Sequence, residues 1–209
     1  MTGIDVSRWQ GEIDWRAVAE SRKVDFAIIR AGYGKSRSGI DKAFVVNYDN
    51  ATAVGLDVGV YWYSYAGSKA DAAAEAKRCL SVLDGRELNF PVFFDVEERA
   101  QLQRGAQFVG GIIEEFCRTI EKGGYWCGFY TSSYYAKTCV PEAVRKRFAF
   151  WCAQWGKNCA YQGSCGIWQY SNTGRIPGID TPVDLDRAFV DYPKLIKSER
   201  SARITRAAT

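Results

Sequence analysis

The 209-residue chain is 47% hydrophobic, 25% charged and 14% aromatic, which is enough apolar material for one sizeable core and a single globular unit. It contains no histidine, which excludes Ser-His-Asp and Cys-His nucleophilic systems, histidine general bases and histidine-containing zinc sites. Twenty-eight Lys and Arg against twenty-four Asp and Glu leave +4, too dilute for nucleic-acid binding without a clustered basic face, yet compatible with an anionic polymer as substrate.

The chain opens with a β-rich run, GIDVS, followed by DWRAVAESRK, in which Asp14 is a plausible N-cap ahead of Trp15 and Val18. VDFAIIRAGYG then reads as a buried strand, and DKAFVVNYDNATAVG as a helix that Asp41 caps and Gly55 ends. LDVGVYWYSYA is a third strand. A helix from Lys69 to Asp84 follows, with Ala73, Ala76, Leu80 and Leu83 on one face. NFPVFFDVE is the fourth strand, and Phe108, Ile112, Phe116 and Ile120 recur every four residues to mark a long helix. YWCGFYTS is the fifth strand, followed only by a short helix around Pro141 to Arg147.

From Phe148 the pattern changes to strand-like runs, FAFWCAQW, GIWQYS and VDLDRAFV, joined by loops with no room for long helices. Eight strands and about five helices predict an α/β fold with a parallel sheet. The strand number allows closure into a barrel whose last third lacks outer helices, with an open doubly wound sheet as the alternative. The stretch after Tyr192 carries Lys194, Lys197, Arg200, Arg203 and Arg206 and reads as an end helix or linker. The expected division is a catalytic domain over 1–192 and a basic tail over 193–209.

Seven cysteines without a CxxC pair argue against a thiolate metal site. Most are expected reduced and buried, with Cys159 and Cys165 the best disulfide candidates. No stretch approaches the roughly 20 apolar residues of a membrane span, and the opening residues lack the basic-then-apolar pattern of a signal peptide.

The segment FPVFFDVEE is the most informative. Asp95 and Glu97 end an apolar strand two residues apart and so share one side of the sheet, while Glu98 faces the other way, toward solvent or a helix. In a barrel the carboxyl ends of strands form the catalytic face. Asp5 closes the first strand and Asp184 lies in the last, so closure would gather four acids at one mouth. Crowded carboxyls in a partly dry cleft hold at least one proton near neutral pH while another stays ionised, which is the division that glycosidic cleavage requires. Tyr61, Tyr63, Tyr65, Tyr130, Trp155, Trp168 and Tyr170 offer surfaces on which sugar rings stack. Gln154, Gln169 and Arg30 offer hydrogen bonds to a sugar or a carboxylate.

Taken in order, GIDVSRWQG, FAIIRAGYG, GLDVGVYWYSYA, FPVFFDVEE and GIWQYSNTGRIPGIDTPVDLDRAF resemble glycoside hydrolase family 25, the Chalaropsis-type lysozymes or N-acetylmuramidases. The resemblance runs from Gly3 to about Tyr192. It implies an irregular TIM-like β/α barrel and hydrolysis of the β-1,4 bond between N-acetylmuramic acid and N-acetylglucosamine in peptidoglycan. By motif, Glu97 resembles the general acid/base and Asp95 the assisting carboxylate, with Asp5 and Asp184 as the other active-site acids. Tyr61, Tyr63, Tyr130, Trp155, Gln169 and Arg30 are the substrate-binding candidates.

The family's retaining chemistry is thought to use the substrate's 2-acetamido group as nucleophile, with an aspartyl-enzyme intermediate as the rival. No metal or cofactor is implied. The expected partner is the glycan strand, met outside the cytoplasm by a monomer that neither inserts into membranes nor binds nucleic acid, either a phage-type lysin or a domain of a larger exported protein. Where the family more often shows Val-Asp-Leu-Asn, this chain has VDLD, so Asp186 adds an acid on the strand face of Asp184. Two other classes fit an acid-lined barrel mouth: Mg²⁺-dependent phosphate-ester hydrolysis, for which no Gly-rich phosphate loop is present, and a catalytically silent sugar-binding module.

Overall fold

The computed structural model describes residues 1–161 and 163–207, from residue 200 onward by backbone alone. The basic side chains of Arg200, Arg203 and Arg206 therefore lie outside the described residues. Eight strands close into a barrel in chain order. They are β1 (Thr2–Val6), β2 (Phe26–Tyr33), β3 (Asp57–Tyr63), β4 (Val92–Asp95), β5 (Cys127–Ser132), β6 (Ala149–Ala153), β7 (Ile167–Gly174) and β8 (Val183–Ala188). Neighbours from β1 to β7 run parallel, as the alternation of strand and helix predicts. The last strand departs from that expectation: β8 is antiparallel to both β7 and β1. The loop from β7 to β8 is too short for the helical crossover a parallel connection needs, so the chain turns back on itself.

The helices are α1 (Trp15–Glu20), α2 (Phe44–Ala53), α3 (Lys69–Leu83), α4 (Arg99–Leu102), α5 (Ala106–Lys122), α6 (Ser133–Cys139), α7 (Glu142–Arg147) and α8 (Tyr192–Ala207). These exceed the five expected: α4 and α6 are one or two turns without an apolar period, and α8 forms where the sequence left an end helix or a linker. Asp14 caps α1 as predicted, its carboxylate accepting from Ala17 N at 3.0 Å. Asp41 does not cap α2, whose N-cap is Ala43. Its carboxylate is instead turned toward β2, where Arg30 takes it. The buried face of α3 is set by Ala72, Ala76, Cys79 and Leu83, one residue out of phase with the expected Ala73 and Leu80.

Strand alternation sorts the core into two layers. Residues facing outward, including Val60, Phe94 and Phe129, pack under α3 and α5, where Phe94 stacks on Phe116 at 4.0 Å. Residues facing inward fill the barrel. Phe26 stacks on Phe90 at 4.3 Å, and Tyr192 and Ile196 of α8 join them to plug that end. Glycine makes the filling possible: a Cβ at Gly3 would lie 2.2 Å from the Phe26 ring. All seven cysteines, Cys159 and Cys165 included, are free thiols, and Cys79, Cys117, Cys127 and Cys152 are buried.

Candidate active site

Asp95 is the last residue of β4, and its inward position follows from Phe93 two residues earlier, which packs edge-on against Trp151 inside the barrel. Val96 turns back into the helix layer, and Glu97 follows at the rim, open to solvent. Asp5 and Asp184 are register partners across β1 and β8, so the antiparallel last strand brings them side by side. The four acids expected from the sequence thus belong to the carboxyl-terminal mouth, Asp5 and Asp95 buried and Asp184 half-buried.

A polar network fixes the floor of this mouth. The Gln169 amide donates to Asp5 Oδ2 at 2.8 Å, while Gln169 Oε1 accepts from the Tyr130 hydroxyl at 3.0 Å and the Trp155 indole at 3.1 Å. Trp151 Nε1 donates to Asp186 Oδ1 at 2.8 Å. Tyr61 sits edge-on to Trp151, with ring centroids 6.0 Å apart. Arg30 reaches in from β2 with its Nε on Asp41 Oδ2 at 2.6 Å, and Asp41 also accepts from the Arg8 and Ala43 backbone. Beside it a cleft of about 290 Å³ is lined by Arg8, Trp9, Arg30, Tyr33, Tyr63 and Tyr65, with the Arg8 guanidinium 4.6 Å from the Trp9 ring centroid.

Removal from water dominates the electrostatics. It holds Asp95 well above the ordinary carboxylate range, reinforced by Glu97 and opposed by the Arg30 guanidinium. Asp5 is likewise raised, by burial and then by the charges of Asp186 and Asp184. Asp184 is pushed up to about 6 by desolvation. Glu97, although exposed at the rim, is raised by the protein that displaces water around its carboxyl, with Tyr63 opposing and Glu98 and Asp184 adding repulsion. Burial also raises Tyr61 and Tyr130, so both remain hydroxyl donors near neutral pH.

Several expectations need correction. Glu98 does not face away: it is half-buried and accepts from the Tyr63 hydroxyl at 2.7 Å. The strand ends at Asp95, so alternation no longer governs the residues after it. Trp168 lies between the inward residues Ile167 and Gln169 and so points outward, where its indole donates to the Gln154 carbonyl and its ring packs on Tyr170. Tyr65 lies beyond β3, exposed at the rim of the cleft. Trp151 was not singled out from the sequence, and Asp41 was read only as a helix cap. Inward alternation from Ala149 to Ala153 would have found Trp151. No local signal marks Asp41 as the partner of Arg30.

A family model described as glycosyl hydrolases family 25 matches residues 4–179. The uncharacterized protein YegX of Escherichia coli K12 is 29% identical over 205 residues, which cover 90% of this chain and 73% of that protein. Lysozyme M1 of Streptomyces globisporus is 29% identical over 204 residues, 88% of this chain and 66% of the relative. Among solved structures, the bacterial lysozyme from Streptomyces coelicolor superposes with a TM-score of 0.78 at 26% identity, covering 94% of this chain and 95% of its own.

Proposed function

Since the chain belongs to glycosyl hydrolases family 25, we propose that it is a peptidoglycan hydrolase, a lysozyme cleaving the β-1,4 bond from N-acetylmuramic acid to N-acetylglucosamine. The observation that carries this reading is the convergence of Asp5, Asp95, Glu97 and Asp184 on one mouth of the barrel. The lysozymes among its relatives support the choice of polymer.

Glu97 gives its proton to the leaving glycosidic oxygen and then takes one from the attacking water. Its raised pKa keeps that proton available, and its place at the rim leaves room for a polymer to pass. Asp95 lies deeper, where burial and Glu97 raise its pKa and Arg30 opposes them, and its ionised form stabilises positive charge at the anomeric carbon. With the 2-acetamido group as nucleophile, Asp95 orients that group and configuration is retained. Asp5 and Asp184 complete the field around the reacting ring. Gln169 holds Asp5, and Tyr61, Tyr63, Tyr130 and Trp155 supply ring faces and hydroxyls to the sugars.

The catalytic unit comprises residues 1–192, with the basic stretch 193–209 extending it. The protein works as a monomer on the cell wall outside the cytoplasm, as a phage-type lysin or as part of a larger exported protein. The test is to digest purified Gram-positive peptidoglycan, reduce the products with borohydride and identify the new sugar alcohol by mass spectrometry. Muramitol ends are expected. Glucosaminitol ends would overturn the bond assignment, and no new ends on several wall types would overturn the activity.

A further inference from the structure

Asp186 is a fully buried carboxyl that no ion pair reaches among the described residues. The antiparallel register of β8 sets it opposite Gly3 on β1 and Gln169 on β7, one inward position below the Asp5 and Asp184 pair. Its Oδ1 accepts the Trp151 indole hydrogen, whereas no donor reaches its buried Oδ2. An ionised carboxylate in that position would carry an uncompensated buried charge and an oxygen without a donor, a combination costing several kcal/mol.

One proton shared with a neighbouring carboxyl removes both costs, since it neutralises one of the two groups and supplies the missing donor. Asp5 lies in hydrogen-bonding contact with Asp186, and the Gln169 amide engages only one of the Asp5 oxygens, Oδ2. We propose that Asp186 is a positioning residue that shares one proton with Asp5 across this contact, so that the two carboxyls hold one proton and one negative charge beneath the mouth.

The surroundings favour that arrangement. The charged or titratable groups facing the pair are Asp184 on β8, Tyr61 on β3 and Tyr130 on β5, with Tyr170 of β7 within electrostatic reach. Trp151 and Gln169, from β6 and β7, are neutral donors. Arg30 of β2 is committed to Asp41 and acts on Asp95 and Tyr61. Burial pushes Asp186 up to about 8, so the proton stays through neutral pH and leaves in mild alkali. Two adjacent carboxylates then repel, and Asp5 loses the contact that aims it.

The test compares the electrophoretic mobility of the wild type with that of Asp186→Asn, which needs no substrate and so stands whether or not the proposed hydrolysis is correct. At about pH 6 the two are expected to carry equal net charge, and at about pH 10 the wild type should carry one more negative charge. A one-charge difference already at the lower pH would overturn the proposal. In activity, which does rest on the proposed function, the alkaline limb should move up by about one pH unit in Asp186→Asn. An unmoved limb, with activity lowered equally at all pH values, would mean a purely structural role and also overturn it. If that variant fails to fold, Trp151→Phe serves instead: it removes the indole hydrogen that favours the ionised form, so the extra charge should appear at higher pH than in the wild type. Appearance at the same or lower pH would contradict the proposal.

Discussion

At the closed end of the barrel, Phe26 and Phe90 stack against each other and under Tyr192, with Gly3 yielding the space. A few residues further along the same strands the inward positions turn polar: Phe26 gives way to Arg30 on β2, Phe93 to Asp95 on β4, Ile167 to Gln169 on β7, and Ala188 to Asp186 and Asp184 on β8. The floor is buried apolar surface, which stabilises the fold at about 25 cal/mol per Å². The mouth crowds carboxyls whose ionisation the protein opposes, so it spends part of the stability that the floor supplies. The same strands serve both ends, and the inward side chains separate scaffold from chemistry.

The sharpest way to break the floor is Phe26→Ala. Loss of a fully buried ring and its stacking partner should cost about 3–5 kcal/mol in urea denaturation. At the mouth, Asp95→Asn should lower turnover on peptidoglycan about 100- to 1,000-fold, as expected when preorganised charge stabilisation is lost, without destabilising the fold. Gln169→Leu strips the buried Asp5 oxygen and the Tyr130 hydroxyl of their partner and should cost about 1–3 kcal/mol of stability.

The smallest effect is a pH drift. Folded Asp184 keeps its proton up to about 6, whereas the unfolded chain releases it near the ordinary carboxylate value of 3.8, so its contribution to stability falls as pH rises between those values. Neutralising it as Asp184→Asn should flatten that decline by about 1 kcal/mol in a series of denaturation curves. A wild type whose stability rises steadily across that window would show that the mouth does not oppose ionisation.

The floor was largely legible in the sequence because alternating apolar residues and helical periods report burial directly. All eight strands were found this way, as were α1, α2, α3, α5 and α7. α4 and α6 were missed because a turn or two carries no period, and the reversal of β8 is set by a short loop whose direction no strand pattern encodes. In the mouth, Asp5, Asp95, Glu97 and Asp184 were legible as acids at strand ends. The Arg30 to Asp41 pair and the inward turn of Glu98 were not, because both depend on loops folding back across strand ends, where neither alternation nor helical spacing applies.

The division between scaffold and chemistry is tested most directly by Glu97→Gln, with turnover, polymer binding and thermal midpoint measured on one preparation. Turnover should fall by about 100- to 10,000-fold, as the removal of a general acid predicts, while peptidoglycan is still bound and the midpoint stays at or above that of the wild type. Turnover near the wild-type level would contradict the account, as would activity lost only together with the fold.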